Sequence, residues 1–242
     1  MAAGFTCKQF FVAHGDCAMK VGTDSLVLGA WTQRPIQGDM LDIGCGSAIL
    51  SLMLAQRSQD HQRIDAVELC PRAAAQAVDN VQNCPWAHRL RVIQGDILTY
   101  PDSADHLGQR RYALIIANPP YFQHSLKNDL PQKQQARHTD SLSFADLLKV
   151  SAQLATEDGY FSLILPIVEA QQLLALTSHF GWYVARTCPL VSQPDKAPIR
   201  LLLTLSRQPT EMVAEAGLLV RDASGQYSAE YRQLLREFYL NF

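Results

Sequence analysis

No two of the six cysteines stand as Cys-x-x-Cys, and none lies near a histidine pair at zinc-ligand spacing. Scattered thiols fit a reducing compartment, and a chain of 242 residues buries roughly three quarters of its unfolded surface without a disulfide or metal staple. The opening MAAGFTCKQFF lacks a basic segment followed by an apolar one, so no signal peptide is expected. No uncharged apolar run approaches the roughly 18 residues of a membrane-crossing helix. The expectation is a soluble, cytoplasmic protein. Excess charge is also missing: 21 Lys and Arg against 23 Asp and Glu leave −2. That balance excludes a protein that holds nucleic acid by bulk charge, and leaves only a local basic patch for such contact. A composition of 48% hydrophobic and 18% charged residues excludes disorder, collagen and coiled coil.

What is present is strand and helix in alternation. Short apolar runs at Met40–Ile43, Ile64–Val67, Leu90–Gln94, Tyr112–Ala117 and Gly159–Leu165 read as strands. Between them, residues 48–56, 72–80 and 144–155 read as helices, followed by Val168–His179. Trp182–Leu190 and Arg200–Ser206 read as two closing strands around a Pro-rich turn, Pro194–Pro198, and Ser228–Tyr239 as a tail helix. The pattern predicts an α/β fold with a doubly wound, mostly parallel sheet and an antiparallel hairpin at one edge. Residues 123–143 are polar and irregular, a loop or lid. No linker or repeat divides the chain, so one domain is expected, with residues 1–37 as an N-terminal appendage over the cleft and the main unit at 38–242.

The chemistry concentrates at strand ends. Asp42-Ile-Gly44-Cys-Gly46-Ser-Ala48 lies between a strand and a buried helix, where a Gly-rich turn lets backbone approach a cofactor. The plain alternative is a tight strand-to-helix turn. Glu68 ends the next strand, about 20 residues on, where an acid can accept both hydroxyls of a ribose. Asp96 follows the third strand and can meet an adenine amino group; either acid can equally be a solvated strand-end residue. Together Asp42, Glu68 and Asp96 predict one acidic rim. There is no G-x-x-x-x-G-K-[ST], and Asp42 beside the turn would repel a pyrophosphate. The rim therefore favours a phosphate-free, cationic nucleoside cofactor such as S-adenosylmethionine, and with no metal cluster in view none is assigned.

Asn118-Pro119-Pro120-Tyr121 closes the most apolar strand. An exocyclic amine on an aromatic ring is a poor nucleophile because its lone pair is delocalised. Asn118 Oδ1 and the Pro119 carbonyl can accept its two N–H groups and free that lone pair, while two prolines hold the acceptors in place. Tyr121 offers a ring face for a flipped base. The alternative is a rigid Pro-Pro turn with a packing aromatic. Lys20-Val-Gly-Thr23-Asp24 reads as a segment over the cofactor, or as a helix start capped by Thr23 or Asp24. Two cation-bearing stretches follow: Lys127, Lys133 and Arg137 against Asp129, and Arg186, Lys196, Arg200 and Arg207 against Asp195. Most such cations are merely solvated, but these can form an RNA phosphate rim.

DIGCG, Glu68, Asp96 and NPPY together resemble class I S-adenosylmethionine-dependent methyltransferases acting on amino or amide nitrogens. More narrowly, FTCKQFFVAHGDCAMKVGTDSLVLGAW, DIGCGSAILSLMLAQR, IDAVEL, IIANPPYF and YSAEYRQLLREFYL resemble the bacterial tRNA(Val) adenine-N6 methyltransferases over nearly the whole chain. The resemblance implies a Rossmann-like class I domain over 38–242, with tRNA as partner and no membrane or obligate protein partner. It implies methylation of N6 of adenosine 37, just 3′ of the anticodon. The cofactor would be held by Asp42, Gly44, Gly46, Glu68, Asp96 and Thr23, and the amine by Asn118–Tyr121. Ala48 departs from the family's third glycine, which predicts slight crowding of the cofactor. The rival readings are a protein glutamine methyltransferase, an rRNA guanine-N2 methyltransferase, and a non-catalytic cofactor- or RNA-binding module.

Overall fold

A computed structural model describes residues 3–15, 17, 20–103, 110–119 and 142–242. Its first strands, β1 (Gly4–Thr6) and β2 (Phe11–Ala13), pair antiparallel as a separate hairpin. Helix α1 (Thr23–Trp31) then leads into an alternating series: β3 (Asp39–Ile43), α2 (Ile49–Arg57), β4 (Ile64–Glu68), α3 (Pro71–Gln82), β5 (Leu90–Gln94) and β6 (Tyr112–Ala117). After the undescribed stretch come α4 (Phe144–Leu154), β7 (Ala155–Pro166), α5 (Ile167–Leu174), β8 (Tyr183–Val191) and β9 (Arg200–Ser206). Two-residue strands β10 (Val213–Ala214) and β11 (Leu218–Leu219) precede the tail helix α6 (Ala229–Leu235).

The main sheet runs β10-β8-β9-β7-β6-β3-β4-β5, with β11 also on β8. β3 pairs parallel with both β4 and β6, β6 with β7, and β4 with β5, while β9 is antiparallel to β7 and β8. The doubly wound α/β expectation holds. The antiparallel β8–β9 pair lies near one edge, but β10 and β11 cover the outer side of β8. Strand alternation divides the core between two faces. Leu114 and Ile116 face α1, α2 and α6, whereas Ile115 and Ala117 face α4 and α5. With both faces covered, β6 is apolar at nearly every position.

Several boundaries move for physical reasons. A bulge between Tyr112 and Leu114 lets β7 begin at Ala155 rather than at Gly159. The helix expected over Val168–His179 ends at Leu174, and a 3₁₀ turn at Thr177–Phe180 closes on Gly181 with φ 68°. The tail helix stops at Leu235, beyond which Phe238 is buried in the core and Tyr239 and Phe242 turn back into a ring cluster with Phe5, Tyr227 and Tyr231. Neither Thr23 nor Asp24 caps α1. Gly22, which has no side chain to offer, occupies the cap, and Asp24 in the first turn accepts from Arg200 at 2.8 Å. Of the expected 123–143 loop, residues 123–141 lie outside the described residues. Among the described residues no helix is long and apolar enough to cross a membrane.

Asn80 on α3 ties the N-terminal hairpin to the sheet's Gly turn. Its Oδ1 accepts from Ala13 N at 2.9 Å, and its Nδ2 donates to the carbonyls of Ala13 at 2.8 Å and Ser47 at 2.9 Å. The side chain is only 4% exposed, so its removal leaves buried partners unsatisfied. Asn80→Ala is expected to lower stability by roughly 3 kcal/mol, counted at about 1 kcal/mol per bond. Urea unfolding checks this, and an unchanged midpoint would contradict it.

Candidate active site

In an open α/β sheet, ligands bind at the carboxyl ends of the strands where the winding reverses. That point here is the seam between β3 and β6, whose ends carry Gly44 and Asn118. A cavity of about 610 Å³ opens there, within the size range of small-molecule sites. Residues 20–25, 44–47, 49, 50, 118, 190, 192, 193, 199, 220 and 221 line it.

The turn is built to present backbone. Gly44 and Gly46 have φ of 68° and 55°, and a Cβ at either would meet nothing within 4 Å. Their side of the turn is open, and the positive φ is what demands glycine. The turn is anchored by Gly44 N and Cys45 N on the Val67 carbonyl, and by Gly46 N on Glu68 Oε2 at 2.8 Å. Ala48 also sits left-handed, at φ 64°, costing about 1 kcal/mol. Its methyl is fully buried in the core and lies off the cavity wall.

The three predicted acids do not form one rim. Glu68 is half-buried, and Cys70 N donates to its Oε1 at 2.9 Å. Asp96 is exposed, two residues past β5, with Leu98 N on its Oδ1 at 2.9 Å. Asp42, one residue before the end of β3, is fully buried and off the cavity wall. Its Oδ2 takes both donors of Ser51, the backbone N at 3.1 Å and Oγ at 2.6 Å, while its Oδ1 is buried with no partner among the described residues. Desolvation pushes this carboxyl up to about 7, opposed by the Ser51 bonds and reinforced by the charge of Glu68. Burial likewise holds the Cys45 thiol far above its ordinary range, so the thiol inside the turn is not a nucleophile.

Asn118 is half-buried and lines the cavity opposite the Gly turn across the β3–β6 seam, with Pro119 next to it. Thr23 lines the same cavity from the start of α1. Pro120, Tyr121, Lys127, Lys133 and Arg137 lie outside the described residues. Of the other predicted RNA-facing cations, Lys196 is exposed, but Arg186 and Arg200 are committed elsewhere. Arg186 pairs with Glu215 and lies 4.1 Å over the Trp31 ring, and Arg200 pairs with Asp24. Both pairings pin α1 to the late strands, which corrects their reading as a phosphate rim. Sequence reasoning missed Ser51, whose spacing from Asp42 carries no motif, and the wall from residues 190–221, which only strand order brings to the site.

A family model, the methyltransferase small domain, matches residues 17–142. The tRNA1(Val) (adenine(37)-N6)-methyltransferase of Pectobacterium carotovorum is 46% identical over 239 residues, covering 98% of this chain and 94% of the relative. Among solved structures, a predicted O-methyltransferase of Agrobacterium tumefaciens superimposes with TM-score 0.68 at 15% identity, over 89% of this chain and 96% of that one. A glycopeptide N-methyltransferase complexed with S-adenosylmethionine superimposes with TM-score 0.54 at 14% identity, over 75% and 93% of the two chains. The last two share the fold, whereas near-half identity from end to end goes further: the chain belongs to the family of tRNA1(Val) (adenine(37)-N6)-methyltransferases.

Proposed function

We propose that this chain methylates N6 of adenosine 37 in tRNA(Val), with S-adenosylmethionine as donor. The single observation that carries the reading is the placement of Asn118 and the open Gly44–Gly46 turn on one cavity at the β3–β6 seam. When bound, the cofactor supplies a methyl group made electrophilic by its sulfonium.

The residues present fit such a group. Gly44 and Gly46 leave room for it against bare backbone, and Thr23 faces the same space. Each Glu68 oxygen already accepts one N–H and keeps a further lone pair for a ribose hydroxyl. Asp96 Oδ1 is held by Leu98 N, which orients the carboxylate for an adenine amino group. Asp42 holds the first turn of α2 through Ser51, behind the Gly turn, rather than touching a ligand in this cavity.

Asn118 Oδ1 and the Pro119 carbonyl accept the two N–H groups of the target amine. That withdraws its lone pair from conjugation and aims it across the seam. Pro120 stiffens the acceptors and Tyr121 stacks the base. A nucleotide in an anticodon loop is extruded at lower cost than a paired one, which suits a chain with net charge −2. Lys196, Lys127, Lys133 and Arg137 supply the local cations.

The test is transfer of labelled methyl to total tRNA from a strain lacking this gene, with nucleoside analysis of the product. N6-methyladenosine in a single tRNA species is the expected outcome. Label in protein, or in guanosine of rRNA, would overturn the reading.

A further inference from the structure

One wall of the cavity lies on the far side of Asn118 from β4 and β5, which carry Glu68 and Asp96; neither of those acids lines the cavity itself. Strand order places this wall. From β3 the edge runs one way to β4 and β5, carrying Glu68 and Asp96, and the other way through β6 and β7 to β9 and β8. Leu190 and Gln193 lie at the end of β8, and Ile199 just before β9, so they share that carboxyl edge. The wall is completed by Val220 and Arg221.

This wall is rigidly built. Ile199 N bonds the Leu190 carbonyl at 2.9 Å, Val220 N the Val191 carbonyl at 2.8 Å, and Arg221 N the Ser192 carbonyl at 3.1 Å. Beyond Arg221 the chain makes a tight turn. Asp222 Oδ1 accepts from Ser224 N, Ser224 Oγ and Gln226 N, and Arg221 pairs with Tyr227 across it. The Arg221 side chain is exposed yet held in one direction. Its Nη1 donates to the Gly225 carbonyl at 2.7 Å, and its guanidinium lies 4.6 Å over the Tyr227 ring. Among the described residues lining the cavity the only acid is Asp24, which Arg200 engages at 2.8 Å.

A methyl acceptor must present its nitrogen at Asn118 from the side the cofactor does not occupy. We infer that the β8-side wall is the subsite for the target nucleotide, with Ile199 and Val220 against its base, the buried Leu190 behind them, and Arg221 on an adjoining phosphate. An apolar strip ending in a fixed guanidinium matches a nucleotide, whose planar base and anionic phosphate stand at opposite ends. The assignment rests on the proposed RNA methylation.

The test compares wild type with Arg221→Ala, Arg221→Lys and Ile199→Glu in tRNA methylation across a salt series, with S-adenosylhomocysteine affinity measured separately. Arg221→Ala is expected to raise KM for tRNA roughly tenfold and to lower the log–log salt slope by about 1, leaving the affinity for S-adenosylhomocysteine unchanged. Arg221→Lys keeps the charge and restores the slope. Ile199 is 45% exposed, so Ile199→Glu folds even if the Arg221 variants do not, and it too weakens tRNA alone. Variants that match wild type in KM and slope overturn this assignment while the methylation stands. Lost S-adenosylhomocysteine affinity gives the wall to the cofactor, and also overturns it. A wild-type protein that methylates no tRNA overturns both readings.

Discussion

Replacing Asn118 with Ala is expected to cut turnover on tRNA by roughly 10²- to 10³-fold, the size of effect that follows loss of one preorganised polar contact to a reacting group. The dissociation constant for S-adenosylhomocysteine should stay within about twofold, because a contact made to the amine in the transition state leaves cofactor binding alone. The structure explains why the effect should be this lopsided. Asn118 follows Ile115, Ile116 and Ala117, all fully buried in the central strand, so its backbone is fixed by the sheet. Pro119 fixes the next φ and offers no N–H to compete for the acceptors. The chain therefore holds two acceptors before substrate arrives, and none of this involves the wall that faces the cofactor. Single-turnover rates alongside equilibrium binding provide the check. Near-normal turnover with intact binding would remove Asn118 from the chemistry.

Where one local signal decided the structure, the sequence was legible. β5 and β6 match their expected bounds at Leu90–Gln94 and Tyr112–Ala117, because continuous apolar runs between turn residues have few other uses. The Gly turn was legible because positive φ at positions 44 and 46 requires a residue type. Tertiary pairing was not. The hairpin β1–β2 and the strands β10 and β11 have two or three residues each, too short for any periodicity. Arg186 and Arg200 read as members of an RNA phosphate rim, and only the fold shows that Trp31, Glu215 and Asp24 engage them. The same limit applied to Asp42. A strand-end acid beside a glycine reads as a rim residue, and nothing local says that α2 closes over it.

Asp42→Asn should reverse the order of stability between the variant and wild type as pH rises. Two acids on neighbouring strands are buried, and they are treated differently. Asp65 accepts from the hydroxyls of Tyr112 and Tyr100 and from Arg91 and Arg110. Among the described residues Asp42 has only the two Ser51 donors, with its other oxygen unpartnered. Its folded pKa of about 7 stands above the ordinary 3.8. Below pH 3.8 the group is protonated in both states and sets no slope. Between pH 3.8 and 7 the unfolded chain ionises while the folded chain stays neutral, so wild type loses stability as pH rises. The loss amounts to roughly 4 kcal/mol, at about 1.4 kcal/mol per pH unit, and is complete above pH 7. Asparagine keeps an acceptor for Ser51 but replaces the orphan oxygen with a buried NH₂, which costs about 1–3 kcal/mol at every pH. The variant is therefore expected to be the less stable protein at pH 4 and the more stable one at pH 8. Urea midpoints across that range test it, and a pH-independent difference would show that Asp42 is ionised throughout. A chain that keeps an acid costing it stability at neutral pH, directly before the turn proposed to hold a cationic cofactor, shows the trade expected where function and stability compete for one residue.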